Sequence, residues 1–215
     1  LDLACIIFTL QSPETSLGFL DRFLACCEAY NIPVLILFNK IDLLNFEEVE
    51  LVEELQAMYE NLGYQTLQVS SAEKLNLDKL QEILKDKTCV FFGHSGAGKS
   101  TLANALQPDL NLKTNEISET HNKGKHTTTF AQMHFWHFGG AVIDTPGVRE
   151  FAMIDVEKEE IQHYFPEIFE KGRECKFHNC KHINEPKCAV LEAIETGEIL
   201  ESRYITYLKL MEEAD

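Results

Sequence analysis

Apolar residues along this chain fall into short runs separated by charged, helix-periodic stretches. The run over 3–10 predicts a strand, and a helix over 16–30 follows, introduced by the capping region Pro13-Glu14-Thr15-Ser16. A strand over 33–38, an acidic helix over 46–62, a strand over 64–69 and a short helix over 77–84 continue the alternation. The strand-like residues 88–92 run into a glycine-rich turn and an apolar-periodic segment over 99–106. Further on, 130–138 alternates as a strand and meets a second strand at 141–143 across Gly139-Gly140, read as a two-residue hairpin turn. Such βα alternation with one antiparallel ribbon predicts an α/β fold, a mostly parallel sheet flanked by helices. From about residue 154 the pattern is helical, with an interruption at 175–188. We therefore expect two domains, 1–153 and 154–215.

The 215 residues are 45% hydrophobic, enough to bury a substantial core. No apolar stretch approaches eighteen residues without charge and no charged-apolar-small leader opens the chain, so a soluble, cytoplasmic protein with no membrane partner is expected. The first residue is Leu1 and falls almost directly into a strand, which predicts that an N-terminal part precedes it.

Five motifs carry the chemistry. Gly93, His94, Ser95, Gly96, Ala97, Gly98, Lys99, Ser100 and Thr101 fit the phosphate-binding pattern GxxxxGK[ST] in its required strand-loop-helix setting. Glycines there let backbone N–H groups turn toward phosphate oxygens, and the helix N-terminus adds partial positive charge. Lys99 would reach the β and γ phosphates and the Ser100 hydroxyl would ligate Mg²⁺. Asp144 would hold that metal through water, with the Gly147 N–H toward the γ phosphate, in the run Asp144-Thr145-Pro146-Gly147. Asn39-Lys40-Ile41-Asp42 follows a strand, and its Asp42 carboxylate, an acceptor only, suits the adjacent N1–H and N2–H₂ donors of guanine and repels the N1 lone pair of adenine. Ser70-Ser71-Ala72 supplies the remaining base-contacting loop, and Thr127-Thr128-Thr129 the switch threonines. In ordinary GTPases the phosphate loop precedes NKxD; here it follows. The set is complete in rotated order, so the chain reads as a circularly permuted GTPase that uses Mg²⁺ with GTP. Lys99, Ser100, Asp144 and Gly147 are its expected catalytic residues.

A second constellation lies at 175–188. Cys175, Cys180, His182 and Cys188 stand at C-x4-C-x-H-x5-C spacing, a set that makes a closed tetrahedral Zn²⁺ site with no open position for a substrate water. A disulfide is the alternative, but seven cysteines is an odd count and nothing indicates secretion. Cys5, Cys26, Cys27 and Cys89 lie in apolar segments and are expected in the core, and His178 is expected on the surface.

Taken together, permuted NKID, SSA, GHSGAGKST, Lys125-His126-Thr127-Thr128-Thr129 and DTPGVREF followed by the Cys/His cluster resemble the RsgA family, also called YjeQ or EngC, bacterial GTPases of small ribosomal subunit biogenesis. The resemblance covers essentially the whole chain. It implies slow GTP hydrolysis alone and faster hydrolysis on the 30S subunit, in a late assembly and checkpoint role. The family's N-terminal OB-type RNA-binding domain is not among these residues. GTP, GDP, the 30S subunit and its rRNA are the expected partners of a monomer. The other reading is a nucleotide-dependent RNA- or protein-binding switch with negligible turnover and a non-ribosomal target.

Net charge of −16 works against an RNA partner overall, and the acidic helix over 46–62 reads as a solvated face. Two basic stretches differ from the total: Lys171, Arg173, Lys176, Lys181 and Lys187 in one, Lys113, Lys123, Lys125 and His126 in the other. Either rRNA contacts or ordinary surface cations fit them equally. Where Ras-like enzymes place a water-positioning glutamine, this chain has Val148, so intrinsic hydrolysis is expected to be slow. Gly96 replaces the asparagine of potassium-activated relatives, so strict potassium dependence is not implied.

Overall fold

The computed structural model describes residues 1–112, 132–144 and 156–214. Six strands form one sheet in the order β3-β2-β1-β4-β6-β5: β1 (Leu3–Phe8), β2 (Val34–Phe38), β3 (Gln65–Gln68), β4 (Thr88–Phe92), β5 (Gln132–Phe135) and β6 (Ala141–Asp144). Every pairing is parallel except β5 with β6, as expected for helix-crossed strands with one terminal hairpin. All six residues of β1 and all five of β2 are buried, the signature of interior parallel strands covered on both faces.

The chain divides into two compact units, Leu1–Thr15 with Ile32–Glu150, and Ser16–Asn31 with Phe151–Asp215. The first contains the sheet, α2 (Phe46–Asn61), α3 (Leu77–Leu84) and α4 (Lys99–Leu106). Asn45 starts α2 through a capping box, its side chain accepting from the Glu48 N–H while the Glu48 carboxylate accepts from the Asn45 N–H. Leu77, Leu80 and Leu84 form the buried stripe of α3, and they share a core with Cys5, Ile7, Leu35, Leu37, Cys89, Phe91, Leu102 and Leu106. Truncating Leu84, fully buried there, would cost about 2–5 kcal/mol.

The second unit holds α1 (Leu17–Ala29), which lies between β1 and β2 in sequence, with α5 (Pro166–Gly172), α6 (Ala189–Glu195) and α7 (Glu201–Glu213). Ser16 caps α1 by accepting from the Phe19 N–H. Ile161, Phe165, Ile168, Val190, Tyr207 and Leu210 form its core. Arg203 is fully buried among them. It donates to Glu167 from Nε at 2.7 Å and Nη2 at 3.1 Å, lies 3.7 Å from Asp21, and sits over the Phe165 ring at 4.7 Å.

The ribbon between β5 and β6 departs from the expected hairpin. Strand pairing ends at Phe135 opposite Ala141, and the connection is longer than two residues: the Trp136 N–H reaches Gly140 O at 3.1 Å and the Gly139 N–H returns to Trp136 O at 3.2 Å. Trp136 is buried against Phe91 and stacks on Phe138, so the alternation of inward and outward residues runs on past the last paired position. Gly140 has φ +79°, and a Cβ there would stand 2.2 Å from Lys87 O, so only glycine lets the turn approach that backbone.

Candidate functional site

In a parallel sheet, ligand-binding loops gather at the carboxyl ends of the strands, near the point where strand order reverses. Here β1 is followed in sequence by β2 on one side, while β4 pairs on its other side, and the loops after β1, β2, β3 and β4 carry the expected nucleotide motifs or lie between them. The phosphate loop joins β4 to α4. Gly98 caps α4 at φ +105°, and Gly93, at φ +148°, passes so close to Ile7 O that a Cβ would stand 2.7 Å away. Lys99 Nζ donates to the carbonyls of Gly93 at 2.7 Å and His94 at 2.8 Å, holding its charge over the loop where phosphate oxygens would compete for it. Ser100 and Thr101 open α4, Thr101 exposed and Ser100 half-buried. Burial and the neighbouring Lys99 charge push the His94 imidazole below its ordinary range, so it is neutral at neutral pH.

The NKID residues stand against that loop. Asn39 is buried and donates from Nδ2 to Ala97 O at 2.9 Å; Lys40, at φ +64°, donates from Nζ to Gly96 O at 2.7 Å. Burial pushes the Lys40 ammonium down, with the Asp42 carboxylate opposing it. Ile41 and Asp42 lie in a turn of 3-10 helix (Ile41–Leu43) that leaves Asp42 exposed. Buried Ser70 donates its hydroxyl to Asp42 Oδ1, accepts the Glu73 N–H at 3.0 Å, and closes the loop by backbone bonds with Leu75. Ser71 lies 3.4 Å from Asn39 Oδ1, and Ala72 is exposed at the tip. One Ser70 bond orients the Asp42 carboxylate and leaves acceptor capacity for a base edge. The structure thus brings residues 39–42, 70–72 and 93–101 together. Asp144 ends β6. Gly147, Val148, His126, Thr127, Thr128 and Thr129 lie outside the described residues, as do Lys113, Lys123 and Lys125.

The Cys/His cluster assembles in the second unit. The ligand atoms of Cys175, Cys180, His182 and Cys188 all lie within 4.8 Å of one another. Cys175 Sγ stands 3.7 Å from Cys188 Sγ, and His182 Nδ1 lies 3.6 and 3.4 Å from those two sulfurs. A tetrahedron with metal–sulfur bonds of about 2.3 Å has edges of about 3.7 Å, whereas a disulfide needs sulfurs about 2.0 Å apart, so the donor set fits a metal ion and not a cross-link. Burial pushes the Cys180 thiol up to about 12 and raises Cys188 as well, so a cation is what would draw those protons off. Burial keeps His182 neutral, as a ligand must be. Gly172 gives the ring room: a Cβ there would stand 3.1 Å from Nε2. The Tyr204 and Tyr207 hydroxyls bond the His182 and Lys181 carbonyls at 2.7 and 2.9 Å, fixing the backbone that presents the imidazole. His178 is exposed and outside the cluster, and Cys5, Cys26, Cys27 and Cys89 are buried.

The basic stretch around the cluster is largely neutralised. Lys171 pairs with Glu174 and Glu198, Arg173 with Glu170, and Lys181 with Glu159. Lys176 instead lies 5.3 Å over the Phe177 ring. Sequence reasoning missed the bracing tyrosines, whose signal was a pair of aromatics three residues apart on the last helix. It also missed the loop at 9–15 and the Asp21, Glu167 and Arg203 group, which share no local pattern.

The profile of the RsgA GTPase family matches residues 1–154. Among relatives, the small ribosomal subunit biogenesis GTPase RsgA of Christiangramia forsetii is 47% identical over 212 residues, covering 99% of this chain and 67% of that protein. The protein of the same name from Flavobacterium psychrophilum is 49% identical over 217 residues, covering 100% and 66%. The chain thus spans about two thirds of the length of these relatives. Among solved structures, YjeQ from Thermotoga maritima superposes with a TM-score of 0.84 at 38% identity, covering all of this chain and 71% of its own. YloQ, described as a circularly permuted GTPase, gives 0.78 at 35%, covering all of this chain and 68% of its own.

Proposed function

The chain belongs to the RsgA GTPase family, and on that premise we propose that it binds and hydrolyses GTP as a factor in the biogenesis of the small ribosomal subunit. The observation that carries this reading is the convergence of two loops from opposite flanks of β1: Asn39 and Lys40 bond directly to the carbonyls of Ala97 and Gly96 in the phosphate loop. A guanine reader and a phosphate cradle would thereby line one pocket.

The role of each residue follows from its chemistry. Residues 93–101 would receive the phosphates, with Lys99 on the β and γ groups, and Ser100 with Asp144 would hold Mg²⁺, which supplies charge neutralisation on the phosphoryl oxygens. Asp42 would select guanine, Lys40 and Asn39 would flank the base, and the Ser71-Ala72 backbone would complete its rim. Gly147 and one threonine of 127–129 would answer to the γ phosphate. Val148 offers no hydrogen bond to the attacking water, which supports slow turnover alone and stimulation by the subunit. We assign residues 1–153 to the permuted GTPase domain, although segment 16–31 groups with the second compact unit, and 154–215 to a helical domain that would be built on one Zn²⁺, held by Cys175, Cys180, His182 and Cys188.

No helix among the described residues is long and apolar enough to cross a membrane. We propose a cytoplasmic monomer, with the 30S subunit and its rRNA as partners. The test is the GTP hydrolysis rate of the purified chain with and without 30S particles, alongside competition by GTP, GDP and ATP. Stimulation by 30S and exclusion of ATP are expected. An unstimulated rate would point to the switch with another target, and equal competition by ATP would end the guanine assignment. Co-sedimentation of a longer chain with 30S in GTP-analogue and GDP states then reads the switch, with tighter binding expected in the GTP-like state.

A further inference from the structure

The loop after β1 carries none of the recognised motifs, yet sheet order dictates where it must lie. β1 stands between β2 and β4, so its carboxyl-terminal loop emerges between the guanine loop and the phosphate loop. The contacts there are specific. Lys40 Nζ, besides its bond to Gly96 O, donates to Ser12 O. Pro13 packs against the phosphate loop, its Cδ 3.4 Å from where a Cβ on Gly96 would stand. Gln11 Nε2 donates to Leu43 O at 2.9 Å, just past the NKID residues, and to Glu48 at 3.3 Å.

The loop is also built to keep its shape. Thr9 and Thr15 are buried and close its base: the Thr15 N–H bonds Thr9 O at 2.8 Å, the Thr9 N–H bonds Thr15 Oγ1 at 3.3 Å, and the two hydroxyls lie 3.2 Å apart. The Thr9 hydroxyl also donates to Pro13 O at 2.5 Å. Two buried hydroxyls spent on a surface loop make sense where the loop's carbonyls must hold a fixed position.

We propose that residues 9–15 form a clamp that sets the spacing of the guanine and phosphate loops, with Gln11 and Thr15 as positioning residues for guanine nucleotide binding. Ser12 O and Gly96 O together fix the Lys40 ammonium, Gln11 fixes the turn that carries Asp42, and Pro13 fixes Gly96. The inference rests on the reading of these loops as the nucleotide pocket. Because base and phosphate ends are both positioned, the clamp acts on GTP and GDP alike, in contrast to a group that touches only the γ phosphate.

The test is the Kd of a fluorescent GDP and of a non-hydrolysable GTP analogue for the parent chain and for Thr15→Val, Thr15→Ser and Gln11→Ala, with melting temperature recorded for each. Thr15→Val is expected to raise both Kd values about five- to tenfold, the weight of one buried hydrogen bond, and Gln11→Ala about two- to threefold. Thr15→Ser, which keeps the hydroxyl, should recover parent affinity, and in steady-state hydrolysis the loss should fall on KM rather than kcat. Gln11 is only half-buried, so its variant reads the clamp even if Thr15→Val lowers the melting temperature. Parent-like affinity in both Thr15→Val and Gln11→Ala would overturn the clamp. A parent chain that binds neither nucleotide would overturn the pocket itself, and the clamp with it.

Discussion

The two candidate sites solve opposite problems. The Cys/His cluster is closed: its donors are side chains within fourteen residues, largely buried, and spaced to enclose one ion. The proposed nucleotide pocket is open and made mainly of backbone, with its cations, Lys40 and Lys99, held by carbonyls that a phosphate or a base would outcompete. A closed site contributes its binding energy to folding. An open one must keep that energy for a ligand that arrives and leaves. Perturbing the first should therefore change structure, and perturbing the second should change affinity or rate while leaving the fold intact.

The largest effect is expected at Cys188→Ser. Structural zinc in small domains contributes about 10–16 kcal/mol, comparable to or larger than the whole stability of an ordinary domain. Bound metal, read by elemental analysis, should fall from about one ion per chain to near zero, and amide exchange should rise across α5, α6 and α7. The sheet has its own core and should keep its protection. Parent chain purified without chelator and free of metal would end the closed-site reading.

Lys99→Ala comes next, as the sharpest break in the open site. On the proposed reading its ammonium would be the charge aimed at the β and γ phosphates, and loss of one such group typically lowers kcat by about 10²-fold or more. The bonds lost with it, to the Gly93 and His94 carbonyls, are only half-buried, so the melting temperature should fall far less than the rate. A variant that keeps its rate would show that the lysine stays on Gly93 and His94 throughout turnover.

How far these sites were legible follows from how local they are. Helices Leu77–Leu84 and Lys99–Leu106 match their expected bounds because apolar spacing alone decides them. The cluster at 175–188 was legible because its four donors are sequence neighbours. The strand expected over 3–10 ends at Phe8, since Thr9 turns away to pair with Thr15, and that pairing leaves no periodic trace. The ribbon turn was misread because the alternation runs on through Trp136 after strand pairing has ended at Phe135, so periodicity alone does not mark where the ladder stops. Arg203 was invisible as a core residue: on a polar helix it looks solvated, and its partners Asp21 and Glu167 are set by packing across distant segments.

Asp42→Asn tests selectivity within the open site. The Ser70 hydroxyl can still donate to the amide oxygen, so the loop should keep its shape and the change should be confined to the base edge. GTP binding is expected to weaken by about 2–4 kcal/mol, through lost charge-assisted bonds and a donor facing a donor. Xanthine nucleotide, which presents an acceptor there, should be favoured instead. Titration of both nucleotides reads the exchange, and parent-like GTP affinity would remove Asp42 from the pocket.

The smallest effect is expected in the second unit but away from the Cys/His cluster. Arg22 donates from Nη1 to Glu213 Oε1 at 2.8 Å and from Nη2 to the other carboxylate oxygen, joining α1 to α7. The guanidinium holds the Glu213 carboxyl below the usual glutamate range, against a smaller push upward from burial. A depressed folded value means that the pair stabilises above the ordinary glutamate range and loses its contribution as pH falls through that value. The Glu213 side chain is 53% exposed, so solvent screening keeps the contribution small. Glu213→Gln should cost about 0.5 kcal/mol at pH 7, and the difference from the parent should close in acid. Melting curves at the two pH values read it, with GTP affinity unchanged throughout. A variant gap that persists undiminished in acid would mean that packing of the side chain, rather than its charge, joins these helices.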